Sequence, residues 1–317
     1  MSRTLRVGVV MDPINEIKPW KDTTLRLMLE AQARGCEIHY MQLADLSIHN
    51  GSACGRSRLL QLRDDRDDWF TSGTQQSLAL SELDYILMRK DPPFDMEFVN
   101  ATHILELAQR EGTPVINDPR GLRDIGEKLS IAGFPQFTPA TLISRSMADL
   151  RAFLKEQQSI VVKPLDGMGG ASIFRIEQGD QNASVIFETI TEHETRYAMA
   201  QAYLPAISKG DKRILVINGE PYRHALARIP AAGELRGNLA AGGRGEGVDL
   251  TERDIEIAST VGAWLKERNM LFCGLDVIGD SLTEINVTSP TCLRELEGIY
   301  GDNIAALVLD AAEGRLH

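Results

Sequence analysis

The chain has 317 residues, of which 43% are hydrophobic and 25% charged, a balance typical of a water-soluble globular protein. This length accommodates roughly two domains, each with a core of its own. The net charge of −11 argues against a nucleic acid partner for the whole surface, although a local basic pocket for a small anion is compatible with it.

The patterns of hydropathy, cysteine and histidine bear on the cellular location of the protein and on zinc binding. The N-terminal apolar run is too short for a signal peptide, and no apolar run approaches the ~20 residues that cross a bilayer. The four cysteines lack C-x-x-C spacing, and the six histidines include no H-x-x-x-H pair. We therefore expect a cytoplasmic protein with reduced thiols, no membrane partner and no zinc site.

The first third of the chain predicts a Rossmann-like α/β domain. Leu5 to Met11 is an apolar strand, Thr23 to Arg34 has apolar residues at helical spacing, and Glu37 to Gln42 alternates as a strand does. A strand–helix–strand unit of this kind leads to a parallel sheet. For residues 44–80 the pattern predicts no clear element.

A further strand is predicted at Asp84 to Met88, followed by the segment R-K-D-P-P-F, whose prolines stop regular structure. Charged residues at the C-terminal end of a sheet strand lie where α/β folds place ligands, so Arg89 and Asp91 are candidate site residues. Turn signals at residues 117–124 suit a domain boundary. Residues 126–132 resemble the start of a helix that carries Lys128.

Residues 159–176, S-I-V-V-K-P-L-D-G-M-G-G-A-S-I-F-R-I, combine two apolar strands with a glycine-rich connection. The glycines let backbone N–H groups approach an anion, and Lys163 adds a positive charge. Neither the Walker A nor the G-x-G-x-x-G pattern is present. The stretch predicts a flap over nucleotide phosphates, with an ordinary glycine hairpin as the alternative. Its glycines are Gly167, Gly169 and Gly170.

Residues 229–247, I-P-A-A-G-E-L-R-G-N-L-A-A-G-G-R-G-E-G, have too few large apolar side chains to build a core. A segment of this length without regular structure is typical of a functional lid. Arg236, Asn238 and Arg244 suit anionic ligands, which favours a lid over a disordered insertion.

A helix is predicted over residues 251–267, with Thr251 as its N-cap and Asp254 completing a capping box. The hairpin after it places Asp276 on one strand and Glu284 and Asn286 on one face of the next. Two carboxylates and a carboxamide suit Mg²⁺ bound to a nucleotide triphosphate, with phosphates and water completing the octahedron. A structural polar network is the alternative, and it is disfavoured because buried acids are costly without a cation.

Together these motifs resemble the ATP-grasp superfamily, and the similarity to the prokaryotic glutathione synthetases runs nearly end to end. It rests on R-K-D-P-P-F, G-E-K-L, K-P-L-D-G-M-G-G-A-S-I-F-R, L-A-R-I-P, R-G-N-L-A-A-G-G-R-G and L-T-E-I-N-V-T-S-P-T-C. The resemblance implies a homotetramer of three-domain chains. The implied domains are an N-terminal α/β domain at 1–122, a central domain with the flap at 123–202, and a C-terminal domain with metal site and lid at 203–317.

The resemblance also implies an ATP-dependent ligase that joins γ-glutamylcysteine to glycine and makes ADP and phosphate through an acyl phosphate. The implied metal is Mg²⁺, or Mn²⁺ in its place, held by Asp276, Glu284 and Asn286. The implied nucleotide contacts are Lys128, Lys163, Gly167, Gly169, Gly170, Gln201, Tyr203, Leu204 and Asp211. The implied catalytic and peptide-binding residues are Arg213, Arg228, Arg236, Asn238, Thr288 and Ser289, of which Arg213, Arg228 and Asn238 are catalytic.

Two other functions stay open on the sequence. Another ATP-grasp carboxylate–amine ligase, which joins D-alanines or adds glutamate to a protein, would share the nucleotide and metal residues. The R-G-N-L-A-A-G-G-R-G lid and the S-P-T-C tail disfavour it. A nucleotide-binding regulator without turnover would be favoured by a missing metal ligand or phosphate lysine, and none is missing.

Overall fold

A computed structural model describes residues 3–167, 172–231 and 242–316. Their strands form three sheets, against which the helices pack. The α/β class predicted from the sequence is confirmed, including a parallel arrangement in the N-terminal sheet. None of the helices in this part of the chain is long and apolar enough to cross a membrane.

The N-terminal sheet is mixed, with a parallel half and an antiparallel half. Its elements are β1 (Arg6–Val10), α1 (Thr23–Ala33), β2 (Glu37–Met41), β3 (Leu46–His49), β4 (Ser52–Leu62), β5 (Phe70–Ser72), β6 (Gln76–Ala79), β7 (Tyr85–Met88), α2 (Met96–Arg110), β8 (Val115–Ile116) and α3 (Pro119–Asp124). The order is β3-β4-β2-β1-β7-β8, with β5 and β6 paired to β4. Strands β2, β1, β7 and β8 run parallel, as the predicted strand–helix–strand unit requires.

Strands β3 to β6 occupy residues 44–80, for which no element was predicted. Strand β4 has buried residues at Ala53, Gly55 and Ser57 and exposed arginines at positions 56 and 58. It therefore alternates as a one-sided strand does. The alternation in the first half of β4 is hard to read from sequence because its buried members there are small or polar.

The central sheet is antiparallel and has a core of its own. Its elements are β9 (Thr141–Ser144), α4 (Met147–Gln157), β10 (Ser159–Pro164), β11 (Phe174–Glu177), α5 (Ala183–Ile190) and β12 (Ala198–Ala202), in the order β11-β10-β12-β9. Strands β10 and β11 form the hairpin predicted around the glycines. Leu150, Ile160 and Phe187 pack together in a core that shares no member with the rest of the described molecule.

The C-terminal sheet is also antiparallel, in the order β15-β14-β13-β16-β17. These strands and the accompanying helices are β13 (Asp211–Ile217), β14 (Glu220–Ile229), β15 (Arg244–Asp249), α6 (Glu252–Lys266), β16 (Phe272–Ile278), β17 (Ser281–Asn286), α7 (Leu293–Tyr300) and α8 (Ile304–Glu313). Helix α6 begins with the predicted capping box, in which Thr251 and Asp254 each accept a backbone N–H.

Two local predictions need correction. The helix predicted over residues 126–132 is a short 3₁₀ helix, Leu129–Gly133, and Lys128 directly precedes it. The loop predicted over 229–247 is wrong for residues 244–247, because Arg244 pairs with Ile229 in the β14–β15 ladder. Alternating glycines hide this edge strand, since glycine has low strand propensity. Residues 232–241, within the predicted lid, lie outside the described residues.

The N-terminal and C-terminal sheets are joined by shared apolar contacts. Leu87 of β7, Leu215 of β13 and Phe272 of β16 belong to one continuous core. Asn117, directly after β8, adds polar contacts to the same joint, because its amide nitrogen donates to the carbonyl oxygens of Phe272 and Val287, both at 2.7 Å. This joint fixes the β16–β17 hairpin against the N-terminal domain.

Candidate active site

A cavity of about 630 Å³ has walls from all three sheets. Most of the predicted site residues that the structure describes line it, although they come from distant parts of the sequence, whereas Arg89 and Arg244 do not. Gly169, Gly170, Arg236 and Asn238 lie outside the described residues. The lining residues predicted from the sequence are Lys128, Lys163, Gly167, Gln201, Tyr203, Leu204, Asp211, Arg213, Arg228, Asp276, Glu284, Asn286, Thr288 and Ser289.

Charged side chains occupy two neighbouring rows across the strands of the C-terminal sheet. Arg213 lies opposite Asp276, and Asp276 lies opposite Glu284. Asp211 lies opposite Arg228 in the neighbouring β13–β14 pair. Directly opposite residues of antiparallel strands project from the same face, so strand register alone brings these charges together.

Asp276 is the centre of the row that it shares with Arg213 and Glu284. Its carboxylate accepts hydrogen bonds from Arg213 Nε at 2.6 Å and Nη2 at 3.2 Å, and it lies 2.9 Å from Arg228 Nη2. Burial raises the pKa of Asp276, but the two guanidinium groups outweigh burial and hold the pKa well below its ordinary value. Asp276 is therefore ionised at neutral pH and orients both arginines.

Asp211 and Arg228 form a second buried pair, with the guanidinium donating to the carboxylate. Burial raises the pKa of Asp211 to about 6, although the positive charge of Arg228 opposes the shift. Asp211 Oδ1 and Arg228 Nε are buried and have no hydrogen-bond partner among the described residues. Unsatisfied polar atoms in a cavity wall are suited to a ligand that supplies the partners.

Two lysines approach these charges from the side of the glycine flap. Lys128 Nζ donates to the carbonyl oxygen of Gly167 at 2.7 Å and pairs with Glu284 Oε1 at 2.9 Å. Lys163 Nζ donates to the carbonyl oxygen of Thr283 at 3.3 Å. Burial lowers the pKa of Lys163, and Lys128 adds to this effect while Glu284 opposes it. Two ammonium groups beside a glycine-rich connection suit a polyphosphate.

Another part of the cavity lining is apolar. Gln201 at the end of β12 is 4% exposed and donates to Thr141 Oγ1 at 3.2 Å. Tyr203 and Leu204 follow it, and the Arg175 guanidinium lies 3.8 Å from the centre of the Tyr203 ring. Apolar side chains with a few polar groups suit a planar heterocycle such as a nucleotide base. The apolar lining here includes Val161, Ala202, Leu204, Ile207 and Ile278.

The oxygen donors present fit Mg²⁺. Asp276 and Glu284 face each other across β16 and β17, and Asn286 lies two residues beyond Glu284 on the same strand. The Asn286 amide nitrogen donates to Gly274 O at 3.3 Å, so its carboxamide oxygen points to the other side. No group of three acidic, histidine or cysteine side chains with metal-binding geometry occurs in the described part of the chain. Hard oxygen donors that leave positions for phosphates are what Mg²⁺ bound to a nucleotide prefers.

Sequence reasoning missed Glu127, which precedes Lys128. Its Oε1 accepts from the backbone N–H of Val287 at 2.8 Å and from the N–H and hydroxyl of Thr288 at 3.0 and 2.9 Å. Burial raises the pKa of Glu127, and the charge of Glu284 adds to it. A glutamate beside a predicted helix start gave no signal of a contact 160 residues away.

The N-terminal domain also contributes a wall that was only partly predicted. Asp91 lines the cavity, whereas Arg89 is buried behind the wall. Both residues were predicted from the charged segment R-K-D, which directly follows β7. Arg244 does not line the cavity, and it pairs with Glu246 at 2.6 Å. The wall residues not predicted as site residues include Asp12, Lys18, Lys21, Asp22, Cys292 and Glu295.

Comparison with known proteins first identifies the class. The structure is similar to that of D-cycloserine synthetase, with a TM-score of 0.70 at 15% identity over 98% of this chain and 100% of that one, a likeness of fold alone. Residues 127–301 match the family model described as the prokaryotic glutathione synthetase ATP-grasp domain. The fold is therefore the ATP-grasp fold, as the sequence motifs predicted.

The family follows from the remaining matches. Residues 5–123 match the model of the prokaryotic glutathione synthetase N-terminal domain. The glutathione synthetase of Salmonella typhimurium is 56% identical over 312 residues, which cover 98% of this chain and 99% of that protein. That of Yersinia pestis is 56% identical over 313 residues, which cover 98% of each. The chain belongs to the prokaryotic glutathione synthetase family.

Proposed function

We propose that the protein is an ATP-dependent ligase that joins γ-glutamylcysteine to glycine and releases ADP and phosphate. The observation that carries this proposal is the convergence of two lysines, two arginines and the Asp276–Glu284 pair on one cavity, in a chain of the glutathione synthetase family. The lysines come from beside the flap, the arginines from β13 and β14, and the carboxylates from β16 and β17.

The chemistry needs activation because a carboxylate does not accept an amine at neutral pH. An oxygen of the cysteinyl carboxylate attacks the γ-phosphorus of ATP, the bond from that phosphorus to the bridging oxygen breaks, and ADP leaves. The glycine amine then attacks the acyl phosphate carbonyl, and phosphate leaves while the amine gives up a proton. Such a reaction depends on positioning and on stabilisation of developing negative charge.

The charged residues fit these two steps. Lys128 and Lys163 would bind the nucleotide phosphates together with the backbone of Gly167, Gly169 and Gly170. Arg213 and Arg228 are held by buried carboxylates, so they would meet the substrate carboxylate and the transferred phosphoryl group already oriented.

The remaining roles concern the metal, the base and the peptide. Mg²⁺, or Mn²⁺ in its place, would neutralise phosphate charge when held by Asp276, Glu284 and Asn286. Gln201, Tyr203 and Leu204 would bind the adenine, and Asp211 would contact the ribose or the nucleotide. Thr288 and Ser289 would bind the peptide, and Arg236 and Asn238 are included in the substrate site on sequence grounds.

A homotetramer and a cytoplasmic location are part of the proposal. The tetramer rests on the family resemblance, and the location on the reduced-thiol pattern of the four cysteines, which are unpaired in the structure. Light scattering should give about four times the chain mass of 35.0 kDa, and a monomer mass would remove this part of the proposal.

The proposed reaction is tested by measuring phosphate release and product with ATP and Mg²⁺ while each substrate is omitted in turn. We expect rapid phosphate release and glutathione formation only when γ-glutamylcysteine and glycine are both present. Faster turnover with D-alanine, or with a glutamate acceptor, would identify a different carboxylate–amine ligase. Nucleotide binding without phosphate release under any combination would identify a regulator.

A further inference from the structure

Arg89 lies directly after β7, behind the cavity wall and not in it. It is 5% exposed and is not among the residues that line the cavity. Its Nε donates to Thr24 Oγ1 at 3.1 Å, and its Nη2 donates to the carbonyl oxygen of Pro290 at 2.9 Å. The guanidinium also lies 5.4 Å from the ring centre of Phe272. One side chain thus joins α1, the start of β16 and the turn that follows β17.

The turn at residues 287–291, which we call the substrate turn, is held from outside the C-terminal domain. Arg89 binds the carbonyl oxygen of Pro290, Asn117 binds that of Val287, and Glu127 accepts the N–H groups of residues 287 and 288. The substrate turn carries Thr288 and Ser289 into the cavity and directly follows Asn286. Its position is therefore set by the N-terminal domain and by the linker to the central domain.

The other hydrogen bond of Arg89 is donated to Thr24 at the start of α1. Thr24 belongs to the first turn of α1, which Asp22 caps by accepting the N–H of Leu25 at 2.6 Å. Asp22 and Ser289 both line the cavity. Arg89 thus ties together two segments that line the cavity, without lining it itself.

The charge of Arg89 is costly where it lies. Among the described residues its hydrogen-bond acceptors are neutral oxygen atoms, and no carboxylate is within ion-pair distance. Burial lowers the pKa of Arg89 to about 10, and the charges of Asp91 and Asp22 oppose this shift. An unpaired buried cation destabilises a fold. The cost is explained if the positive charge balances the acidic groups of the adjoining wall and favours an anionic substrate.

We propose that Arg89 is a positioning residue for the peptide substrate, acting through the substrate turn and the start of α1. This inference rests on the proposed function, because it assigns the peptide substrate to that end of the cavity. The end of the cavity assigned to adenine includes β12 of the central domain, and among the described residues Arg89 donates hydrogen bonds only to Thr24 and Pro290. Loss of Arg89 should therefore affect the peptide substrate and spare the nucleotide.

The test compares Arg89→Met, Arg89→Lys and the control Arg123→Met in the full chain. Arg123 is a suitable control because it is 15% exposed, donates to Thr102 Oγ1 at 3.2 Å and lies away from the cavity. Misplacement of a substrate by about 1 Å can cost on the order of 100-fold in rate. We expect Arg89→Met to raise the KM for γ-glutamylcysteine about tenfold or more and to change the KM for ATP about twofold at most.

A measurement that does not depend on activity and a second variant complete the test. Hydrogen exchange of the N–H groups at 287 and 288 should become faster in Arg89→Met and stay unchanged in Arg123→Met. Arg89→Lys keeps the charge but has a single donor nitrogen, so we expect an intermediate KM, and this variant provides the test if Arg89→Met does not fold.

The outcomes separate the two proposals. An active wild-type protein with an unchanged KM for γ-glutamylcysteine in both Arg89 variants would overturn the inference alone. Equal increases in the KM for ATP and for the peptide would show that Arg89 only supports the fold, and would overturn its role as a positioning residue. A wild-type protein that makes no glutathione would overturn the proposed function and the substrate assignment with it, whatever the exchange data show.

Discussion

Asp276 and Glu284 lie opposite each other in the β16–β17 ladder, yet each is balanced by a different cation. Arg213 Nε lies 2.6 Å from Asp276, whereas Lys128 Nζ lies 2.9 Å from Glu284. In the proposed function the two carboxylates would therefore have two roles. They orient the cations that would bind phosphate, and they provide oxygen donors suited to a metal.

This double role makes both carboxylates sensitive to neutralisation. We expect Asp276→Asn and Glu284→Gln to lower kcat by a factor on the order of 100 or more while the fold, measured by circular dichroism, persists. Asp302→Asn, which loses a surface pair with Arg223, should stay active. Activity near the wild-type level at low Mg²⁺ in either site variant would show that the metal assignment is wrong.

Lys163 should serve the nucleotide before any other substrate. It lies at the end of β10, beside the glycine-rich connection, and its ammonium group donates to the carbonyl oxygen of Thr283 on β17. We expect Lys163→Ala to raise the KM for ATP more than the KM for glycine, with Lys155→Ala on α4 as a surface control. Equal increases for the two substrates would indicate a damaged fold instead of a lost phosphate contact.

The segment between β14 and β15 should protect the intermediate. Arg236 and Asn238 lie outside the described residues, so this prediction rests on their side-chain chemistry and on the cavity-lining Arg228, which lies next to the end of β14. An acyl phosphate exposed to water hydrolyses and consumes ATP without product. We expect Arg236→Ala and Asn238→Ala to release more phosphate than the glutathione they form. A one-to-one ratio at wild-type rates in both variants would exclude this role.

The Asp211–Arg228 pair predicts a pH dependence. The pKa of Asp211 is raised to about 6, so the carboxylate takes up a proton and loses its charge as the pH falls through that value. We expect kcat/KM for ATP to decline below about pH 6. Asp211→Asn should have lower activity throughout and no decline in this range. A decline that persists unchanged in Asp211→Asn would assign it to another group.

Stability should follow a different course over the same range. Because the folded-state pKa of Asp211 lies above its ordinary value of 3.8, the folded state binds this proton more tightly than the unfolded state does. Protonation of Asp211 therefore stabilises the fold as the pH falls from about 6 towards 4. Asp276 has a lowered pKa, so its contribution is lost only at more acidic pH. The sign of this change in stability is measured by thermal unfolding at pH 7 and pH 5, with wild type and Asp211→Asn compared.

Local patterns predicted the phosphate and metal candidates, whereas the family resemblance supplied most of the other site residues. Lys163 ends a β-branched run, and the spacing of Glu284 and Asn286 places both on one face of a strand, so short-range periodicity was enough to find them. The same held for the capping box of Thr251 and Asp254, which the structure confirms. The pairing of Asp276 with Glu284 followed from the hairpin turn at residues 279–280.

Contacts between distant segments could not be predicted in this way. Arg89 reaches Pro290 across 201 positions, and Asn117 reaches Val287 across 170. Each is an ordinary polar residue at a strand end until the domains are brought together. Edge strand β15 was missed for a different reason, because its glycines lack the side-chain pattern by which strands are found.

In the proposed reaction, this cavity activates the cysteinyl carboxylate of γ-glutamylcysteine by phosphorylation. This activation is tested most directly with γ-glutamylcysteine that carries ¹⁸O in that carboxylate, in the presence of ATP, Mg²⁺ and glycine. We expect mass spectrometry to find one ¹⁸O in the phosphate released with each molecule of glutathione, and ADP as the nucleotide product. Glutathione formed with unlabelled phosphate, or with AMP and pyrophosphate, would contradict the acyl phosphate route.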